Sequence, residues 1–214
     1  MNPMDVPLMA IVDDDAAVCR SLALLLETRG WRSESFERAA DLLALDDCAP
    51  FNCLIVDVRI PGMSGLELFD ALGRRATSQV QYLPPVLFLT GHGDIPMVVH
   101  ALKNGASDFL EKPADPRSLL DAVKRALETD RVARQRFDDQ ARLTRLIAGL
   151  TRRERQILGE VLKGRLSKQV GDVLNISTKT VEAHRLSICH KFGVRTTAEL
   201  SAMLRGLPDD LWLE

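Results

Sequence analysis

The chain has 214 residues and a net charge of −2, with 46% hydrophobic and 27% charged residues. That length suits one large domain or two small ones, and no apolar run is long enough for a transmembrane helix. The first residues lack the basic and then apolar segments of a signal peptide. We therefore expect a cytoplasmic protein with no membrane partner.

The charges are divided unevenly along the chain. Residues 1–128 carry 12 Lys and Arg against 19 Asp and Glu, a net of −7, whereas residues 129–214 carry 16 against 11, a net of +5. An acidic half joined to a basic half indicates two domains, the second facing an anionic partner. The four cysteines form no C-x-x-C pair, which argues against a zinc site or a disulfide framework.

Two short apolar runs in the first half end in carboxylates. One is Leu8–Val12, followed by three aspartates that begin with Asp13 and Asp14, and the other is Cys53–Asp57. Ligands of open parallel sheets bind at the carboxyl ends of the strands, so Asp13, Asp14 and Asp57 are expected to meet. Crowded carboxylates repel one another, and a divalent cation between them would offset that repulsion. The alternative is that the aspartate triplet only caps the next helix.

Two later strand ends add a hydroxyl and an amine. Residues 86–89 form an apolar run that leads into Thr90, and residues 108–111 lead into Lys112 and Pro113. A hydroxyl can donate to a phosphoryl oxygen without adding charge, and an ammonium is a point charge that suits such an oxygen. The ordered set of acid pair, acid, hydroxyl and amine is a far more specific signal than any one of them.

Strands and helices alternate through this half of the chain. Five βα units of this size predict an α/β fold, a flavodoxin-like doubly wound sheet of five parallel strands in the order 2-1-3-4-5. The predicted strands are 8–13, 31–36, 51–57, 86–90 and 108–111, and the helices that follow them include 38–45 and 95–104.

The strand-end residues and their order resemble the receiver domain of two-component response regulators, over roughly residues 7 to 128. The resemblance implies that Asp57 is the phosphorylated residue. It also implies a Mg²⁺ site at Asp13, Asp14 and Asp57, with Asp14 a direct ligand and Asp13 acting largely through water. Arg59 would lend its backbone carbonyl to the metal.

The same resemblance assigns roles to the later strand ends. Thr90 and Lys112 would bind phosphoryl oxygens, and Phe109 would be the aromatic residue whose rotamer follows Thr90. The peptide between Lys112 and Pro113 would be cis. We interpret His92 as either a solvent-exposed loop residue or a functional one, and the sequence leaves both open.

The stretch after the predicted receiver is charged and contains no proline. It predicts a helical linker that continues the last receiver helix rather than a flexible tether. Its apolar spacing is irregular, so we favour a solvated connector helix over a coiled coil. The predicted domains are a receiver at 1–128, a helical linker at 129–149, a helix-turn-helix domain at 150–206 and a tail at 207–214.

The predicted DNA-binding half is all-α, with four short helices. Thr151 and Glu154 form a capping box at the start of the first helix. Gly171 allows close helix contact, Asn175 makes a turn, and Ser177 caps the third helix. Two short helices joined by a tight turn are a helix-turn-helix.

Polar and basic side chains on the third helix suit the major groove and the DNA phosphates. We expect Val181, Leu186, Ile188 and Phe192 to face the core, and Val173 of the preceding helix to do the same. The alternative is that this basic helix face is only solvated, which is the usual case for a single basic helix.

This half resembles the LuxR/FixJ/NarL-type DNA-binding domain. The matching motifs are Leu150-Thr151-x-Arg153-Glu154-Arg155, Ser177-x-Lys179-Thr180-Val181-x-x-His184-Arg185 and Lys191-Phe192-Gly193-Val194. The resemblance places four side chains on the recognition helix: Lys179, Thr180, His184 and Arg185. It makes Lys168 and Lys191 candidate contacts to phosphate.

The two resemblances together imply a transcriptional response regulator. A sensor histidine kinase would phosphorylate Asp57, and the receiver would then form a homodimer and bring the basic domain to promoter DNA. RNA polymerase is a further candidate partner.

One alternative is a Mg²⁺-dependent phosphotransferase or phosphatase, but no insertion is large enough for a substrate pocket. We expect no enzyme activity beyond slow self-phosphotransfer and autodephosphorylation. The other alternative is a phosphorylation-independent DNA-binding regulator with the receiver as an interaction module.

Overall fold

A computed structural model describes residues 6–91, 99 and 101–204 of the chain. His92, the predicted tail at 207–214 and half of the predicted helix at 95–104 lie outside the described residues. The chain divides into two compact units between Phe137 and Asp138. Within the described ranges, we find no helix that combines the length and the apolar character needed to cross a membrane.

The first unit is built on a sheet of five parallel strands in the order β2-β1-β3-β4-β5, which confirms the predicted order. The strands are β1 (Leu8–Val12), β2 (Arg32–Phe36), β3 (Cys53–Asp57), β4 (Val86–Gly91) and β5 (Asp108–Lys112). Because all five strands are parallel, their carboxyl ends lie at one edge of the sheet.

Helices cover both faces of this sheet. The helices are α1 (Ala16–Glu27), α2 (Ala39–Leu43), α3 (Gly65–Gln79) and α4 (Pro116–Ala148), and residues 101–103 are also helical. Alternate residues of β1 enter different cores: Met9 and Ile11 pack with α1 and α4, whereas Ala10 and Val12 pack with α2 and α3. This two-sided burial explains why the central strands read as continuous apolar runs.

A polar cluster at the other end of the sheet fixes the middle of α4. Asp130 is 2% exposed and accepts hydrogen bonds from Asn52 Nδ2 at 2.9 Å and Tyr82 Oη at 2.8 Å. Arg134 pairs with Asp130 at 3.1 Å and donates to two backbone carbonyls at 2.7 and 2.8 Å. The helical turns just beyond residue 128 are therefore packed into the first unit. Sequence analysis missed this cluster.

The second unit is a small helical bundle. Its helices are α5 (Arg152–Leu162), α6 (Ser167–Leu174), α7 (Thr178–Phe192) and α8 (Thr197–Met203). A buried core joins them and includes Ile157, Val170, Val181, Ile188, Phe192 and Leu200.

The turn between α6 and α7 has the predicted chemistry. Asn175 ends α6 in the left-handed conformation with φ 52°, which asparagine tolerates better than most residues. A Cβ on Gly171 would lie 2.7 Å from the carbonyl oxygen of Ile176, so the glycine permits the close approach that we expected. Two predicted core residues are corrected, because Val173 is 53% exposed and Leu186 is 70% exposed.

Candidate functional site

Three carboxylates meet at the carboxyl ends of β1 and β3. Side-chain oxygens of Asp13, Asp14 and Asp57 all lie within 4.8 Å of one another. Asp13 and Asp57 are buried and Asp14 is exposed. The third member of the triplet, Asp15, caps α1 by accepting hydrogen bonds from two backbone N–H groups. The capping interpretation therefore fits Asp15, whereas the other three carboxylates form an oxygen-rich cluster of the kind that suits Mg²⁺.

Lys112 enters this cluster from the end of β5. Its Nζ lies 2.5 Å from Asp13 Oδ2 and 2.9 Å from Asp57 Oδ2. Burial disfavours the charged ammonium, but the hydrogen bonds that it donates to Asp13 and Asp57 outweigh this effect and raise the pKa of Lys112. One ammonium among three carboxylates leaves an excess of negative charge. The peptide between Lys112 and Pro113 is cis, as predicted.

The loop after β3 and the start of α3 fix the backbone around Asp57. The backbone N–H of Arg59 donates to Asp57 Oδ1 at 3.2 Å, while the Arg59 side chain is exposed. A Cβ on Gly65 would lie 2.1 Å from the carbonyl oxygen of Asp57, so only glycine fits there. Ser64 and Glu67 form a capping box that sets the first turn of α3. The capping serine was predictable from sequence, but the close approach of Gly65 was not.

Thr90 and Phe109 lie on the two neighbouring strands. Asp57 pairs with Leu89 in the sheet register, which puts Thr90 one residue further, at the same edge. Thr90 is buried, and within the described residues its Oγ1 donates a long hydrogen bond of 3.5 Å to the Gly91 carbonyl, a weak interaction. Phe109 is half-buried and packs against the core on the side of α2 and α3.

In the second unit, the start of the recognition helix α7 is exposed and polar. Ser177 accepts a hydrogen bond from the backbone N–H of Thr180 at 3.1 Å and so caps the helix. Lys179 and Thr180 in the first turn are exposed, and so is Lys168 in α6. Their predicted contact with DNA stays a prediction that this exposure permits.

Arg185 is engaged inside the second unit. Its Nη1 donates to Ser167 Oγ at 2.5 Å, and its Nη2 and Nε donate to Thr197 Oγ1 at 3.0 and 3.3 Å. The guanidinium thus ties α7 to α6 and α8. His184 beside it is half-buried. The expectation that Arg185 contacts DNA stays a prediction, and such a contact would require the guanidinium to leave these hydroxyl partners.

Lys191 also forms an ion pair with a buried carboxylate. Its Nζ lies 2.7 Å from Glu154 Oε2, and Glu154 is 3% exposed. Glu154 accepts further hydrogen bonds from Ser187 Oγ and from the backbone N–H of Thr151, each at 2.8 Å. Burial alone would raise the pKa of Glu154, but Lys191, Thr151 and Ser187 outweigh it and lower the pKa to about 2. The capping box pointed to Glu154, but nothing in the sequence pattern linked it to Lys191.

Comparison with known proteins places both units in described families. Residues 9–124 match the response regulator receiver domain, and residues 148–204 match the luxR family of bacterial regulatory proteins. The chain is 40% identical over 190 residues to the transcriptional regulatory protein TdiR of Thauera aromatica, an alignment that covers 89% of this chain and 82% of that protein. It is 38% identical to the transcriptional regulatory protein FixJ of Azorhizobium caulinodans, over 90% of this chain and 89% of that one.

Solved structures give the same result. The response regulator StyR is 37% identical with a TM-score of 0.79, over 94% of this chain and all of the StyR chain (100%). Full-length FixJ from B. japonicum is 32% identical with a TM-score of 0.52, over 92% of this chain and 95% of that one. The chain belongs to the two-component response regulators that carry a LuxR-type DNA-binding domain, and it is a transcriptional regulator.

Proposed function

We propose that a sensor histidine kinase phosphorylates this protein on Asp57, and that the phosphorylated form dimerises and binds promoter DNA. The carboxylate cluster carries the proposal. Asp57 shares the Lys112 ammonium with Asp13, and Asp14 adds a third carboxylate whose oxygen lies within 4.8 Å of theirs. A site with this surplus of negative charge is suited to gain a metal ion, and with it a phosphoryl group.

The transfer forms one bond and breaks another. A carboxylate oxygen of Asp57 bonds to phosphorus as the bond from phosphorus to the kinase imidazole nitrogen breaks, and the imidazole leaves with the electron pair. Lys112 offsets the negative charge of the incoming phosphoryl oxygens. Mg²⁺ held by Asp13, Asp14 and Asp57, with the Arg59 carbonyl, would supply further positive charge at the reacting oxygens.

Phosphorylation then requires a conformational response. The added charge is neutralised locally, so it acts on DNA binding only by biasing an element with two states. Thr90 and Phe109 are that element in our proposal. The hydrogen bond from Thr90 to the Gly91 carbonyl is long and weak, and Phe109 fills the space when Thr90 turns towards the phosphoryl group. The surface around β5 changes, and two receivers pair through it.

The basic unit would then bind DNA as a pair. Residues 150–206 carry 11 Lys and Arg against 5 Asp and Glu, a net of +6. The exposed Lys168 and Lys179 are the proposed phosphate contacts, with Thr180 beside them. We propose promoter DNA as the ligand and RNA polymerase as a further partner at the promoter.

Intact-mass measurement tests the phosphorylation step. The full chain, incubated with acetyl phosphate and Mg²⁺, should gain one phosphoryl group, and Asp57→Asn should gain none. Asp15→Asn is the matched control, because it removes a neighbouring charge while asparagine still caps a helix. Equal labelling of Asp57→Asn and wild type would refute the assignment.

A further inference from the structure

The recognition helix α7 has two faces that differ in exposure. The inward face carries Val181, Ile188 and Phe192, all at most 1% exposed. The outward face follows the spacing i, i+3, i+4 and i+7, which places side chains on one side of a helix. Its members are all exposed, and we call them the outward stripe: Lys179, Glu182, Ala183 and Leu186.

Two polar residues that sequence analysis assigned to DNA lie outside this stripe. His184 and Arg185 are half-buried, and the Arg185 guanidinium is held by the hydroxyls of Ser167 and Thr197. To reach a base, Arg185 would have to give up these contacts. The exposed middle of the helix is therefore left to Glu182, Ala183 and Leu186.

Two of the four members of the stripe, Ala183 and Leu186, are apolar. A single exposed leucine is common on protein surfaces, but Leu186 is 70% exposed and lies one helical turn from the exposed Ala183. Lys179 lies at one end of the same stripe, and the unit as a whole is strongly basic. An apolar patch bordered by cations fits the major groove, where phosphates flank base edges and thymine presents a methyl group.

Glu182 adds one acceptor to this surface. Its side chain is 55% exposed, and Oε1 lies 4.0 Å from Nη1 of the half-buried Arg185. A carboxylate in the major groove accepts from the amino group of cytosine and repels phosphate. Glu182 is therefore suited to a base edge and not to the DNA backbone.

We propose that the outward stripe reads DNA mainly through apolar contact, with Leu186 and Ala183 against thymine methyl groups and Glu182 against a cytosine amino group. Arg185 is a positioning residue that holds α7 in place. This inference rests on the proposed promoter binding and names the base chemistry that it recognises.

Selection from a random duplex library with the phosphorylated full chain provides the probe DNA. Each thymine of the selected site is then replaced by deoxyuridine, which lacks the methyl group. Replacing thymine by deoxyuridine at one or two positions should weaken wild-type binding about fourfold. This factor corresponds to the free energy of burying one methyl group. Leu186→Ala should bind the thymine and uracil forms equally at such a position. Glu182→Gln should lose the preference for cytosine at its position.

Leu166→Ala is the matched control, because Leu166 is also 70% exposed but lies on α6, outside the stripe. It should keep the fourfold difference. Leu186→Ala should melt at the wild-type temperature, since its side chain contributes little to the core.

Two results would overturn the inference. One is a wild-type protein that binds the thymine and deoxyuridine forms equally at every position, and the other is a Leu186→Ala variant that keeps the wild-type discrimination. If that variant also fails to self-associate in sedimentation, the stripe is an interface between two copies. A wild type that selects no sequence, while still binding random DNA, would overturn the proposed promoter binding as well.

Discussion

Each unit contains a buried carboxylate paired with a lysine. The two clusters differ in the number of carboxylates that share the one lysine ammonium. In the first unit, Lys112 serves both Asp13 and Asp57, and Asp14 lies within reach of both. In the second unit, the Lys191 ammonium pairs with one carboxylate, that of Glu154, which also accepts hydrogen bonds from hydroxyl and backbone donors.

The difference separates a functional site from a structural one. The Glu154 cluster is complete, so adding a charge would only break it, and its contacts stabilise one folded state. The aspartate cluster is incomplete in the sense that, among the described residues, one ammonium faces three carboxylates, and a bound cation would relieve the repulsion between them. Four predictions follow that comparison, ordered by the size of the expected effect.

Removing the exposed acid should disable the incomplete cluster. Asp14→Ala should slow phosphorylation by acetyl phosphate about 100-fold, or ~3 kcal/mol, because a metal ligand is lost. Intact-mass time courses over a range of Mg²⁺ concentrations measure this loss. If Asp14→Ala were labelled at the wild-type rate and with the same Mg²⁺ dependence, Asp14 would not be part of the site.

Acid should weaken the complete cluster. The pKa of Glu154 is about 2 in the folded protein, against an ordinary value of 4.5. A lowered folded pKa means that the stabilisation is fully present above pH 4.5 and is lost as the pH falls towards 2. The loss should be on the order of 3 kcal/mol.

Urea unfolding followed by NMR signals of the second unit measures this effect between pH 5 and the acid limit of the folded protein. Glu154→Gln should show a flatter pH dependence than wild type. An unchanged slope in that variant would assign the acid sensitivity to other groups.

Removing the lysine of the complete cluster should destabilise the second unit at neutral pH. Lys191→Ala should lower the free energy of unfolding by about 2 kcal/mol, because Glu154 is left with a buried charge. Lys163→Ala is the control: Lys163 also pairs with a glutamate, Glu160, but is 59% exposed, so its loss should cost less than about 1 kcal/mol. Equal losses would mean that burial does not distinguish the two pairs.

The smallest expected effect is a gain in stability of the first unit, whereas the preceding predictions are losses. Without Mg²⁺, Asp14→Ala should raise the free energy of unfolding of the first unit by about 0.5–1 kcal/mol, because a repelling charge is removed from Asp13 and Asp57. Thermal unfolding with and without Mg²⁺ tests this, and added Mg²⁺ should cancel the gain by stabilising only the wild type. A destabilised variant in Mg²⁺-free buffer would show that Asp14 has a structural role.

The sequence predicted the sheet order and the gathering of Asp13, Asp14 and Asp57 because both follow from local patterns. Apolar runs mark parallel strands, and the carboxyl ends of parallel strands share an edge. Capping residues such as Ser177 and Thr151 were equally local, since each acts within its own first turn.

What the sequence did not predict depends on partners far along the chain. Arg185 meets Ser167 18 residues away, and Lys191 meets Glu154 37 residues away. Asp130 meets Asn52 at a separation of 78 residues. Such residues read as solvated charges when only their neighbours in sequence are considered. Leu186 was misplaced for the converse reason, since an apolar residue on a short helix was assumed to face the core.

The most direct test is DNA affinity before and after phosphorylation, measured with the selected duplex on wild type and Asp57→Asn. Acetyl phosphate and Mg²⁺ should tighten binding by the wild type and leave Asp57→Asn at its starting affinity. The account is contradicted if Asp57→Asn tightens as much as wild type, or if fully phosphorylated wild type binds no better than the unphosphorylated protein.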